Sequence, residues 1–116
     1  MIATMSREQL QRKLEHGGNL VLVEALPASD FEDGHLPGAV NLPPDRVREL
    51  AADVLPNKDA EIVIYCANVH CNASEKVAGE LAELGYPNVR VYQGGKEDWI
   101  DAGLPLAGAV VLATPY

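Results

Sequence analysis

The stretch IVIYCANVHCNAS, residues 62–74, places Cys66 directly after a strand-like run and Cys71 five positions later. A thiol at such a point is open to several chemistries: a small buried hydrophobe, half of a disulfide or metal site, or a nucleophile. A chain that leaves a strand and enters a helix near Asn72, Ala73 or Ser74 must fold its loop back over the helix N-terminus. Free N–H groups converge there and, with the helix dipole, favour a negative charge. A Cys66 thiol so placed ionises below the reference value of about 8.5 and is a thiolate nucleophile at neutral pH. The expected anion cradle is the loop backbone at Ala67, Asn68, Val69, His70 and Asn72. The local pattern alone leaves the packed-thiol alternative open.

The neighbours of Cys66 carry readings of their own. Cys71 is either a small residue packed at the helix N-terminus or a second thiol within disulfide reach, which requires Cα atoms closer than about 7 Å. In the second case it protects Cys66 from over-oxidation. Zinc held by Cys66, His70 and Cys71 is disfavoured, because a structural site wants four ligands; no metal is assigned. His70 is either a solvent-facing loop residue or an imidazolium that steadies the thiolate. His35, in DGHLPGA, reads as a structural histidine bonded to backbone.

These residues need elements to hold them. SREQLQRKLEHGG has Ser6 as N-cap, Gln9 three residues on and Gly17-Gly18 as the stop, which predicts a helix over residues 7 to 16. NLVLVEA is a nearly continuous apolar run, suited to a strand buried on both faces. ASDFED predicts a helical turn ended by Gly34, GAVNLP a brief strand, and PDRVRELAADVL a helix with Pro44 near its first turn. EIVIYC is β-branched and unbroken, the strand that delivers Cys66. SEKVAGELAELGY has helical spacing and stops at Gly85, NVRVYQ alternates, and GKEDWIDAGL is a short helix with Trp99 inward. The apolar tail over 107–116 is strand-like but has no assigned place. This alternation predicts an α/β fold: a mostly parallel central sheet with helices on both faces, one domain over residues 1–116.

Composition removes other classes. No apolar run approaches the roughly 20 residues needed to cross a bilayer, and MIATMSREQLQRKL lacks a secretory signal's basic head and apolar run, so the expected compartment is the cytoplasm. A net charge of -8 argues against nucleic acid or an anionic membrane as partner. Two cysteines do not make a disulfide framework.

LVEALPASDFEDGHLPGAVNLP resembles the rhodanese pattern of a strand ending in an acidic residue, an acidic-aromatic pair, then Gly-His-Ile/Leu-Pro-Gly-Ala-x-Asn. IVIYC and LAELGYPNVRVYQGGKEDWIDAGLPL continue the resemblance with the strand-Cys, Gly-Gly-x-x-x-Trp and Ala-Gly-Leu-Pro elements, in order from about Met5 to Leu106. The resemblance implies that Cys66 takes sulfane sulfur from a donor such as thiosulfate, becomes a persulfide, and passes the sulfur to a thiophilic acceptor. A Cys71 within disulfide reach is then a resolving thiol that accepts sulfur from that persulfide. It also implies an exposed Lys96 near the pocket as an anion attractor. No cofactor is called for. The partners implied are a sulfur donor and a thiol acceptor, small molecule or protein; the sequence does not give the oligomeric state.

The chain departs from that pattern in two places. Glu24, Ala25 and Leu26 stand where many rhodaneses have Asp-x-Arg, leaving Asp30 without the expected arginine. CANVHCNAS has neither the loop Arg nor the loop Gly and is a residue or two longer. The longer loop resembles the phosphatase relatives, but those use Cys-x5-Arg and position 72 is Asn, so an oxyanion lacks its bidentate clamp. The expected function is therefore a sulfurtransferase working through Cys66, with a protein persulfide or a neutral or carrier-bound donor rather than free thiosulfate. The alternatives are a redox-sensing or partner-binding module using the Cys66 and Cys71 pair, and a dithiol reductase.

Overall fold

Successive side chains of a strand point to opposite faces, and the strand that leads to Cys66 uses both. In the computed structural model, which describes residues 2–17 and 19–108, this strand is β4 (Glu61–Tyr65). Ile62, Ile64 and Cys66 join a core with Val47 and Ala51 of α3 (Val47–Val54) and Val77, Ala78 and Leu81 of α4 (Ala73–Glu83). Val63 and Tyr65 face a second core with Leu10 of α1 (Arg7–Glu15) and Trp99 of α5 (Gly95–Asp101). Helices thus cover both faces of the sheet.

The sheet is parallel throughout, in the order β1-β5-β4-β2-β3, with β1 (Ala3–Met5), β2 (Leu20–Glu24), β3 (Val40–Asn41) and β5 (Val89–Tyr92) around β4. The register of β2 against β4 sets Glu24 beside Tyr65 at the carboxyl edge, where sites form in sheets of this kind. The remaining helix, α2 (Ala28–Asp33), ends at Gly34 as expected.

Local signals explain most boundaries. Ser6 and Gln9 form the full capping box that opens α1. Gly85 follows the end of α4 at φ +97, a conformation that side chains strain to adopt. Two expectations need correction. The third helix begins at Val47 rather than near Pro44, because residues 43–46 close a turn in which the Arg46 N–H donates to the Pro43 carbonyl. Residues 3–5, given no element from the sequence, form the edge strand β1. Of the tail, Ala107 makes an isolated antiparallel bridge with His35; residues 109–116, like Gly18 of the expected helix stop, lie outside the described residues.

Candidate active site

Cys66 is the first residue past β4, and α4 begins after Asn72, which supplies no side-chain cap. The loop between them therefore lies over an uncapped helix N-terminus, whose first N–H groups have no intrahelical partner. Cys66 is 2% exposed. Its Sγ lies 3.8 Å from Oγ of Ser74, a buried residue in the first turn of α4. Cys66 and Cys71 are joined as a disulfide. A disulfide sulfur carries no proton, so the Ser74 hydroxyl is the donor, and it faces the sulfur that reduction would turn into a thiolate.

Asn68 shapes the loop. Its side-chain oxygen accepts the His70 N–H at 2.9 Å and its carbonyl accepts the Cys71 N–H at 3.1 Å. This turn brings the chain back on itself and sets the Cys66 and Cys71 Cα atoms 6.3 Å apart, inside bridging range. The His70 and Cys71 N–H groups are thus used within the loop. Those of Ala67, Asn68, Val69 and Asn72 make no hydrogen bond to another described residue. Val69 and His70 stand exposed at the loop tip, Val69 at 68%. The His70 ring makes no hydrogen bond to either cysteine.

The start of the loop is pinned from α5. The Lys96 N–H donates to the Cys66 carbonyl at 2.9 Å and the Glu97 N–H to the Ala67 carbonyl at 2.8 Å. Gly95 makes this approach feasible: at φ +70, a Cβ there would lie 2.5 Å from the Cys66 oxygen.

Beneath the loop lies a buried polar network. Glu24, fully buried, accepts from the Tyr65 hydroxyl at 2.7 Å and from the Lys96 ammonium at 3.1 Å. Tyr65 Oη in turn accepts the Leu36 N–H at 3.0 Å. Burial, then the hydrogen bond to Glu24, pushes the Tyr65 phenol far above its ordinary pKa. Lys96 is accordingly not the exposed anion attractor of the resemblance. Its side chain is 15% exposed and is spent on Glu24 and the Asp30 carbonyl, because a fully buried carboxylate needs a counter-charge. His35 behaves as expected, its Nδ1 2.8 Å from the Phe31 carbonyl and its ring stacked on Phe31.

Two clefts flank these elements. One, of about 540 Å³, opens at the carboxyl edge beside the loop and is lined by Val69, Thr4, Arg7, Tyr92, Gly94 and Asp98. Its cation, Arg7, is paired with Asp98 at 2.9 Å, and Asp98 also accepts from the Tyr92 hydroxyl at 2.6 Å. The other, of about 400 Å³, has Arg12, Lys13, His16 and Arg90 around Glu61 and Leu20, the first residues of β4 and β2, and so lies at the opposite end of the sheet from Cys66. Among the described residues no three His, Cys, Asp or Glu side chains are placed to share a metal ion.

Sequence reasoning did not reach Ser74 as a partner of Cys66, nor the Glu24, Tyr65 and Lys96 network. Ser74 carried a signal, since a hydroxyl in the first turn of a helix after a strand-Cys faces the same N-terminus. The network carried none, since its members lie on three elements far apart in sequence.

The family model for the rhodanese-like domain matches residues 6–102. A thiosulfate:glutathione sulfurtransferase of Saccharomyces cerevisiae is 30% identical over 121 residues, spanning 88% of this chain and 81% of that protein. An HTH-type transcriptional regulator of Mycobacterium tuberculosis is 29% identical over 102 residues, and there the match takes 88% of this chain but 43% of the relative's length. Among solved structures, the rhodanese-like domain of an Anabaena protein superposes with a TM-score of 0.82 at 25% identity, covering 100% of this chain and 86% of its own. Alongside the parallel sheet and the cysteine at the end of β4, these matches establish that the chain belongs to the rhodanese-like family.

Proposed function

We propose that the chain is a sulfurtransferase that carries sulfane sulfur as a persulfide on Cys66, with a persulfide rather than free thiosulfate as donor. The observation that carries the reading is the placement of Cys66, in a chain of this family, at the end of β4 with the Ser74 hydroxyl aimed at its sulfur. With the disulfide reduced, the Cys66 thiolate attacks the outer sulfur of a donor R–S–SH. That forms Cys66–S–SH and releases R–S⁻, which takes up a proton. An acceptor thiolate then attacks the same outer sulfur and regenerates the Cys66 thiolate. The negative sulfur in each state is favoured by unpaired loop N–H groups and the α4 dipole.

The choice of donor rests on charge. Residues 66–72 contain no lysine or arginine, Lys96 is spent on Glu24 and Arg7 on Asp98. A thiosulfate dianion would meet no free cation in the loop, on a chain of net charge -8. A persulfide attached to a peptide or carrier brings less charge and offers apolar surface to the exposed Val69.

Intact mass after incubation of the reduced protein with a sulfane donor tests the reading. The Cys71→Ser variant is expected to gain one sulfur and the Cys66→Ser variant none. Equal labelling of both variants would overturn it.

A further inference from the structure

We propose that Cys71 discharges the Cys66 persulfide, releasing its sulfur as hydrogen sulfide and leaving the Cys66–Cys71 disulfide, which an external dithiol then reduces. The proposal rests on the Cys66 persulfide reading and adds a second fate for the sulfur, besides transfer to an acceptor.

The geometry specifies which sulfur is attacked. In a Cys66 persulfide the inner sulfur is Sγ, the atom that the disulfide joins to Cys71. The Asn68 turn holds the Cys71 backbone in place, with the two Cα atoms 6.3 Å apart, so Cys71 reaches Sγ without the loop unfolding. When the Cys71 thiolate attacks Sγ, the bond between Sγ and the outer sulfur breaks and the outer sulfur leaves as HS⁻. Written with protons, Cys66–S–SH and Cys71–SH give the Cys66–Cys71 disulfide and H₂S. The two cysteine sulfurs give up two electrons in all and the outer sulfur takes them, so no further oxidant is required.

Burial then sets the direction of the reset. Cys66 is 2% exposed, whereas Cys71 is half-buried. Thiol–disulfide exchange proceeds at the accessible sulfur and is faster when the leaving thiol is the more acidic. Both conditions select Cys71 as the sulfur attacked and Cys66 as the leaving thiolate, which departs facing the Ser74 hydroxyl and the α4 N-terminus. The second thiol of the dithiol resolves the mixed disulfide, restoring Cys71 as a thiol and oxidising the dithiol. Over one cycle R–S–SH and a dithiol give R–SH, H₂S and the oxidised dithiol.

The test uses reduced, desalted protein and glutathione persulfide, with an acid quench, intact mass and trapped sulfide. Wild type is expected to release about one sulfide per chain and to end two hydrogens lighter, as intramolecular resolution by a neighbouring thiol requires. Cys71→Ser is expected to retain the added sulfur and to release sulfide at least about ten-fold more slowly. If wild type keeps the added sulfur as long as Cys71→Ser does, or if the sulfur is found on Cys71, the discharge step is wrong and the Cys66 persulfide stands. If Cys71→Ser gains no sulfur at all, the persulfide reading fails and the discharge step with it.

Discussion

Lys96 holds Glu24 and Cys66 at once: its ammonium lies 3.1 Å from the buried Glu24 carboxylate while its backbone N–H grips the Cys66 carbonyl at 2.9 Å. The end of β2, the end of β4 and the start of α5 are thereby tied at one residue. A charge pair under the floor of a site is weak evidence for stability in itself, since its desolvation cost is large. Its value here is positional, because the residue that neutralises Glu24 also fixes where the cysteine loop begins.

Removing one partner of that pair should therefore be costly. Lys96→Met leaves a fully buried carboxylate without its counter-charge and should lower unfolding stability by about 3–5 kcal/mol, as for other broken buried pairs. Replacing both residues, as Glu24→Gln with Lys96→Met, should recover part of that loss. Denaturant titration of the three proteins decides it; a single variant no less stable than an ordinary surface change, about 0.5 kcal/mol, would mean that Lys96 is not the counter-charge Glu24 depends on.

Gly95→Ala should damage the site through backbone alone. The added Cβ would lie 2.5 Å from the Cys66 oxygen, in a residue already at φ +70. Strain of this kind costs on the order of 1–3 kcal/mol, and the obstacle is backbone, which cannot rotate away. The expected result is a less stable protein whose Cys66 alkylates at an altered rate, read by denaturation and by thiol-labelling kinetics on the Cys71→Ser background. Unchanged labelling with reduced stability would show that the Cys66 carbonyl contact does not position the sulfur.

The parts of this architecture written in short-range pattern were legible in the sequence. Ser6 with Gln9, the EIVIYC run and the glycine after Leu84 each act within a few residues, and their helix, strand and stop stand where expected. β1 escaped because a three-residue edge strand has no periodicity of its own and exists through pairing with β5. Lys96 departs from the exposed position that the resemblance implies for a related reason: Glu24, 72 positions away in sequence, lies beneath it. The reach of Cys71 followed from loop curvature, but the Asn68 hydrogen bonds that produce it are tertiary detail.

Alkali should destabilise the fold through Tyr65. Burial and Glu24 hold its phenol far above the ordinary value of about 10. The folded chain keeps a proton that the unfolded chain releases, so this contribution is whole below about pH 10 and is lost as pH rises further, by up to about 1.4 kcal/mol per pH unit. Tyr65→Phe should be less stable at neutral pH by roughly 1.5–3 kcal/mol, having lost a hydrogen bond to a carboxylate. Its stability should also fall less steeply between pH 10 and 11, the interval set by that reference value. Identical slopes for the two proteins would show that Tyr65 ionises while folded.

Thiosulfate should be a poor donor until a cation is supplied. Ala67→Arg places a guanidinium in a loop that has none, and a lowered KM for thiosulfate is expected, an effect that salt should blunt by screening. The donor reading fails if the unmodified protein already saturates at low thiosulfate.

Ser74→Ala isolates the hydroxyl's effect on the nucleophile. In the Cys71→Ser background Cys66 is a free thiol, and its ionised form gains a hydrogen bond from Ser74, the Oγ lying 3.8 Å from Sγ in the disulfide. Hydrogen bonds to charged groups contribute about 1.5–3 kcal/mol, and sulfur acceptors at this distance fall at or below the lower end. Losing one should therefore raise the Cys66 pKa by about one unit, given 1.36 kcal/mol per unit. The α4 N-terminus and the unpaired loop N–H groups remain, so the pKa should still lie below the free-thiol value of about 8.5. Alkylation rate against pH reads both quantities, and Ser74→Thr, which keeps the hydroxyl, should restore the lower midpoint. A midpoint unmoved by Ser74→Ala would assign the whole effect to backbone and dipole. A midpoint at or above the free-thiol value in every variant would return Cys66 to the role of a packed core thiol.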